Sequence, residues 1–493
     1  MIKRFFALLL AAVTLLTFAS CENDVQKKDE GLSAYKAGSS DKFEIDAAMY
    51  AYFMYDCVST YEYYITNFGY DSTKSLSEQE SKCAFDESIT WFEFFSSLAE
   101  GMIKKLVALA SKAIDEGMKI SDEDKKAIDD YIKEADEQAY KQGYDGIDGL
   151  LSRYYVEGVT AEAFKKCIEL ELLANQYVDK YAEELGKKEY SEEILLEYVD
   201  KHPELFLGVD YVNYTFFGAY NEDDTDEVKE QAYAEAKKKA QEFIADNPTA
   251  ESFKQAIVDK ENEGEDIPYD ADVILFDFVC EYEIYDMEEE ASDNDKAFYE
   301  WAYSADRKEG DTFIREQKTS SGALYYTAYY MLKPAYVEDY VTKTVSHIFF
   351  EVDTELTGDA LQEDAKRAYD EAVSVLNEYK NGEMTKESFF ELAKKYSEDS
   401  NADVGGVYEN VTLGVMMPEF EEWIYKEGRA VGETEIIQTE YGYHIMYFVG
   451  DGYKYWEVGA RDGYMEELYD AHEAELVAKY PTVFNSEAIK NIP

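Results

Sequence analysis

Few side chains in this 493-residue chain are suited to chemistry, and they are unevenly supplied: 107 Asp and Glu, five Cys and four His. Cys57, Cys83, Cys167 and Cys280 show neither C-x-x-C nor any other metal-ligand spacing, which excludes a zinc site and a thioredoxin-type redox site. Either a Cys57–Cys83 bridge or free buried thiols fits their positions. The acids contain no D-x-D-x-D-G run, so no EF-hand is present, and no metal or cofactor is expected. Two of the histidines, His347 in SHIFF and His444 in YGYHIMYF, lie in apolar, strand-like segments. Taken singly, a histidine so placed is a core side chain with its polar atoms satisfied.

Those residues are positioned by a large folded chain. At 46% hydrophobic and 15% aromatic residues it buries enough apolar surface to offset its conformational entropy, which excludes wholesale disorder. At roughly 150 residues per domain, the length implies about three domains. A formal charge of −59 excludes binding to nucleic-acid phosphate and disfavours attraction to anionic lipid. Across 42–205, apolar residues recur at three- and four-residue spacing, as in ITWFEFFSSLAEGMIKKLVALASKAI and AEAFKKCIELELLANQYVDKYAEEL. This predicts an all-helical domain, with start signals at Ser121-Asp122-Glu123-Asp124 and Thr160-Ala161-Glu162. Residues 1–20 combine Lys3 and Arg4 with an apolar run from Phe5 to Phe18, too short to span a membrane, and read as a secretory signal. The polar, Gly/Ser-containing stretch that follows, to Asp41, reads as a flexible tether.

Beyond 205 the chain repeats itself. YVNYTFF (211–217) parallels TVSHIFF (344–350), TAESF (249–253) parallels TKESF (385–389), and FYEWAYSADRKEGDTFI (298–314) parallels FEEWIYKEGRAVGETEI (420–436). The third pair places Trp301 with Trp423 and Gly310 with Gly432. Each copy reads as a strand, two helices, a loop, a short helix around the Trp, and closing strands, an α+β unit. Copy one spans 206–336 and copy two 337–450. The amphipathic segment ARDGYMEELYDAHEAELVAKY within 451–493 is predicted to pack on the helical domain.

Copy two resembles the parvulin-type peptidyl-prolyl isomerases, in SHIFF, ESFFELAKKYSEDS, the Gly405-Gly406 loop, MMPEFEEW, Gly432 and TEYGYHIMYF. The resemblance implies that His347 and His444 pair beneath the active site, with Thr439 as a neighbouring hydroxyl. It puts Asp399 beside the reacting peptide bond, and Met416, Phe420 and Tyr408 in the apolar pocket that holds proline. GGVYEN departs from the commoner GGDLG at the loop. TLLTFASC resembles a bacterial lipobox, implying cleavage before Cys21 and lipid on its sulfur. With a helical N-domain and tandem isomerase-like units, the whole chain resembles extracytoplasmic foldases of the PrsA/SurA type. This implies an α+β multidomain protein, lipid-anchored to the bacterial cell membrane, acting on unfolded exported proteins with X-Pro bonds, with a homodimer left open. In the repeat alignment Tyr214 stands where His347 stands, and ALYYTAYYM holds no histidine. Copy one therefore reads as a degenerate binding or spacing module. Prolyl isomerisation meets a rotational barrier of about 18–20 kcal/mol set by amide resonance, and so requires neither metal nor nucleophile. A holdase whose parvulin copy binds peptide with negligible turnover is the alternative.

Overall fold

The computed structural model describes residues 31–221, 223–265, 267–284 and 292–493. The expected signal segment 1–20, Cys21 and the first part of the tether lie outside the described residues. The chain divides into two compact units, one of residues up to Glu189 together with Met465–Pro493, the other Tyr190–Tyr464.

The first unit is built on the helices Ala47–Ile65, Trp91–Asp115, Asp122–Lys141, Gly146–Tyr154 and Ala161–Gly186. Ser121 and Thr160 cap two of them, accepting from the backbone N–H of Asp124 and Ala163, as their start signals predict. In Trp91–Asp115 the buried residues Trp91, Phe95, Ala99, Ile103, Val107 and Ala110 follow one another at three or four positions, a stripe facing the core. Each fully buried large side chain there contributes about 1.5–3 kcal/mol.

Two expectations are corrected in this unit. It is not all helical: β1 (Lys36–Ser39) lies between β2 (Glu44–Asp46) and β13 (Val483–Phe484), and β3 (Lys82–Cys83) pairs with β4 (Asp86–Thr90). The tether does not extend to Asp41, because Ala37 is fully buried and Gly38 pairs with Phe484. A Cβ on Gly38 would sit 2.9 Å from the Phe484 ring, so glycine permits the approach. Cys57, Cys83 and Cys167 are buried free thiols and Cys280 is a half-buried one.

The second unit contains both copies. Their sheets share one order: β6 (Val279–Glu283), β5 (Gly208–Phe217), β8 (Leu324–Tyr336), β7 (Thr312–Lys318) in copy one, and β10 (Val407–Val411), β9 (Val341–Glu351), β12 (Gly442–Lys454), β11 (Thr434–Thr439) in copy two. Two long helices cover one face of each sheet, Asp226–Asp246 and Ala250–Glu261 or Gly358–Asn381 and Lys386–Tyr396. The short helix around the Trp, Asp293–Ala302 or Pro418–Tyr425, covers the other. Strand alternation supplies both cores, since Ile348 and Phe350 face one way and Val345 the other.

Unit boundaries differ from those read at 205 and 451. The helix Glu192–Lys201 belongs to the second unit, where Leu195, Tyr198 and Val199 bury against Phe206, Trp456 and Ala460. The last long helix, Tyr455–Lys479, opens in that cluster with Trp456 and ends in the first unit's core with Leu476. Among the described residues no helix is long and apolar enough to cross a membrane.

Candidate functional site

The two central strands of copy two run antiparallel, with His347 opposite Met446 and Phe349 opposite His444. The histidines are therefore diagonal neighbours on one face of the sheet. Their Nδ1 atoms meet at 3.0 Å and their rings lie within 12° of parallel. The Nε2 atom of His444 lies 2.9 Å from Thr439 Oγ1. His347 Nε2 faces Asp399 Oδ2 at 3.4 Å, within ion-pair range but without hydrogen-bond alignment. Tyr441 N–H donates to Thr439 Oγ1, which frees the hydroxyl proton for His444 Nε2. One tautomer chain then satisfies every contact: Thr439 donates to His444, His444 Nδ1–H to His347, and His347 Nε2–H points at the Asp399 carboxylate.

The electrostatics follow from burial. His444, 8% exposed, has its pKa pushed down to about 3, chiefly because burial penalises its cation, and it is neutral at ordinary pH. Asp399 is held down to about 2 by the facing His347 ring, aided by Asn401 N–H at 3.0 Å and the Tyr408 hydroxyl at 3.3 Å, so it is ionised. A fixed carboxylate thus stands at one end of the row and the neutral imidazole of His444 at the other.

Apolar groups wall this row. Phe420 sets its ring edge-on to both histidines, at 5.4 and 5.7 Å, and Phe349 stacks on His444 at 4.7 Å. Met416 packs half-buried on the cluster of Val345, Phe420, Trp423 and Met446. Its neighbour Val415 is 69% exposed, so this apolar surface opens to solvent. The Gly405-Gly406 loop closes one side: His347 N–H donates to Gly406 O at 2.9 Å, and a Cβ on Gly406 would lie 2.1 Å from His347 O. Only glycine fits there. The departure in GGVYEN is absorbed as a bulge between Tyr408 and Val411, with Asn410 at φ 51° and its Oδ1 accepting from Tyr453 N–H at 2.9 Å. A 580 Å³ groove between the two long helices of copy two, lined by Tyr379, Leu392 and Lys395, shares no residue with this row.

His347, His444, Thr439, Asp399, Tyr408 and Phe420 therefore converge on one site, with Met416 on its apolar flank, whereas Cys21 lies outside the described residues. Two features escaped sequence reasoning: the Tyr408 hydroxyl on Asp399 and the Phe349 ring on His444. Strand alternation would have found Phe349, which lies two residues from His347 and so on the same face.

Copy one corrects one assignment. Gly310 N–H donates to Met331 O as Gly432 N–H donates to Phe448 O, which aligns the two closing strands. In that register Asn213, opposite Tyr329, holds the His347 position, while Thr327 holds that of His444. Tyr214 faces the other way and stacks on Phe243 beneath the long helices. The matching Phe-Phe ends of the repeat motif misled by one residue, and a one-residue slip exchanges the faces of a strand. Gln317 takes the place of Thr439, and Arg315, bonded to Asp295 at 2.6 Å, that of Ile437.

Residues 347–450 match the model of the rotamase family, the PPIC-type PPIASE domain. Among solved structures the chain is similar to PrsA from Bacillus subtilis, at 16% identity and a TM-score of 0.29, covering 82% of this chain and 92% of that one. It is also similar to the peptidylprolyl isomerase PrsA from Bacillus anthracis, at 18% identity and a TM-score of 0.18, covering 51% and 91%. No curated protein matches the chain.

Proposed function

We propose, for a chain that carries a PPIC-type peptidyl-prolyl isomerase domain at residues 347–450, that this domain turns X-Pro bonds of exported proteins noncovalently at the His347–His444 row. The observation that carries the reading is the Asp399–His347–His444–Thr439 chain lying against an apolar flank in which buried Phe420 backs the half-buried Met416. The barrier is amide resonance, so a catalyst must favour the twisted amide over the planar one. Phe420 and Met416 hold the proline ring. The ionised Asp399 stands beside the reacting bond and disfavours the negative charge that resonance puts on the carbonyl oxygen of the planar amide, while the hydrogen-bonded histidine pair holds the floor rigid. Uncatalysed X-Pro exchange takes tens to hundreds of seconds, so even a modest gain matters to a folding client.

The same reading makes the protein a foldase outside the cytoplasm, tethered by lipid on Cys21 after cleavage of the signal. The lipobox-like TLLTFASC supports the anchor. The test is cis-to-trans exchange of a prolyl peptide by the purified chain, beside folded His444→Ala and Met416→Ala variants. Acceleration lost in both variants supports the site. No acceleration by wild type, with aggregation of an unfolded client still suppressed, replaces it by a holdase. Incorporation of labelled palmitate that is lost in Cys21→Ser tests the anchor.

A further inference from the structure

We propose that the first unit carries an aromatic docking face for unfolded segments that combine apolar residues with lysine or arginine. It lies where the helix Ala47–Ile65 ends beside the β3–β4 hairpin. Five large rings stand in solvent there: Tyr61 is 42% exposed, Tyr63 82%, Tyr64 64%, Phe68 55% and Phe85 53%. They stand close together along the chain, and four of them pair off. Phe68 and Phe85 meet at 5.9 Å and Tyr63 and Tyr64 at 5.5 Å, while Tyr61 and Tyr64 are one helical turn apart. Phe85 rests on Trp91 at 5.8 Å and Phe94 at 5.6 Å, and Tyr61 on Phe95 at 6.5 Å, so the face is backed by the buried core. Singly scattered surface apolar residues are ordinary, but five exposed rings grouped within residues 61–85 mark an interaction site.

Charge selects the occupant. Residues 56–93 hold Asp56, Glu62, Asp71, Glu78, Glu80, Asp86, Glu87 and Glu93 against Lys74 and Lys82, and Lys74 is engaged by Glu80 at 2.9 Å. A second copy would bring the same acidic rim and its own −59, and an anionic bilayer would also be repelled. A cationic, apolar chain is attracted on both counts: its side chains cover the rings, and its ammonium or guanidinium groups sit over tyrosine faces or against the rim.

This surface is independent of the isomerase reading, and each can fail alone. The experiment measures anisotropy of a labelled Leu/Phe-rich peptide bearing several lysines, and of its counterpart with glutamates in their place, on the full chain. Tyr63→Ser/Tyr64→Ser/Phe85→Ser is expected to weaken the lysine peptide about tenfold or more with Tm unchanged. Glu62→Lys/Glu87→Lys is expected to lose the lysine peptide and gain the glutamate one, and it carries the test should the serine variant prove destabilised. Unchanged binding of the lysine peptide by both variants overturns the proposal. So does a variant effect seen only as lost self-association in sedimentation or lost binding to phosphatidylglycerol vesicles. Exchange of a prolyl tetrapeptide, read in parallel, reports the isomerase separately.

Discussion

Copy one and copy two share a sheet order, helix placement and Trp-bearing short helix, yet differ at almost every polar position of the site face. In copy two that face carries His347, His444 and Thr439; the same ladder positions in copy one carry Asn213, Thr327 and Gln317. The hydrogen-bonding habit survives, since Thr327 bonds Thr215 at 2.9 Å and Gln317 at 3.2 Å. What is gone is the imidazole row with an ionised acid at its end. The Arg315–Asp295 pair fills part of that face, with the guanidinium 4.8 Å from the centre of Phe298, the counterpart of Phe420. A fold retains such a framework because its packing does not depend on the chemistry of one face.

The largest effect expected from that contrast is on turnover. His347→Ala or His444→Ala in copy two should slow prolyl exchange about tenfold to a hundredfold, whereas Asn213→Ala or Thr327→Ala in copy one should leave it within about twofold. The measurement is exchange of a prolyl tetrapeptide, with circular dichroism showing that each variant is folded. An equal loss from the copy-one variants would break the comparison.

The next effect is on stability in acid. Burial lowers His444 to about 3, far below the ordinary histidine value of 6.5, so in acid the unfolded chain takes a proton that the folded one refuses. The contribution of His444 to stability is therefore full above pH 6.5 and falls as pH drops from there toward 3, by about 2 kcal/mol at pH 5. Thr327 has no such proton to take. Between denaturant melts at pH 7.5 and 5, the change in stability of wild type should be less favourable than that of His444→Gln by about 2 kcal/mol.

The Trp pair sharpens the comparison further. Trp423 Nε1–H donates to Glu435 at 2.9 Å, whereas buried Trp301 Nε1–H has no acceptor among the described residues. The reason is one exchange in the ladder: Phe313, which stacks on Trp301 at 5.2 Å, occupies the position of Glu435. A Trp→Phe change removes a hydrogen bond in copy two and an unsatisfied donor in copy one. Trp423→Phe should thus cost about 1 kcal/mol more than Trp301→Phe in urea melts. Equal costs would mean that the difference in hydrogen bonding carries no weight.

Much of this contrast is legible in the sequence, and what is not has a physical cause. The Trp and Gly positions reveal the repeat because a short helix and a tight turn each need one residue type at one spot. The histidine pair is legible because the motifs flanking it are long. The strand register of copy one is not, because two adjacent Phe residues align equally well on either face and only the ladder decides. Nor is the β1–β13 pairing, which joins four residues near one chain end to two near the other. No local pattern of that length distinguishes a strand from a loop.

The smallest effect concerns Tyr408, whose position in copy one is held by Cys280. The Tyr408 hydroxyl donates to Asp399 Oδ1 at 3.3 Å, and burial, with the carboxylate beside it, pushes its own pKa up to about 12, so it remains a donor throughout the working range. The ring also stands edge-on to Phe420 at 6.5 Å. Tyr408→Phe keeps the ring and deletes the hydrogen bond. Asp399 retains His347 and the Asn401 N–H, so it stays ionised but is held less firmly. Exchange should slow about two- to threefold with KM unchanged, equivalent to about 0.5 kcal/mol, the lower end for one hydrogen bond. Tyr408→Ala should add a rise in KM by opening the apolar wall. A Tyr408→Phe variant that raised KM and left kcat alone would make Tyr408 a wall of the pocket and nothing more.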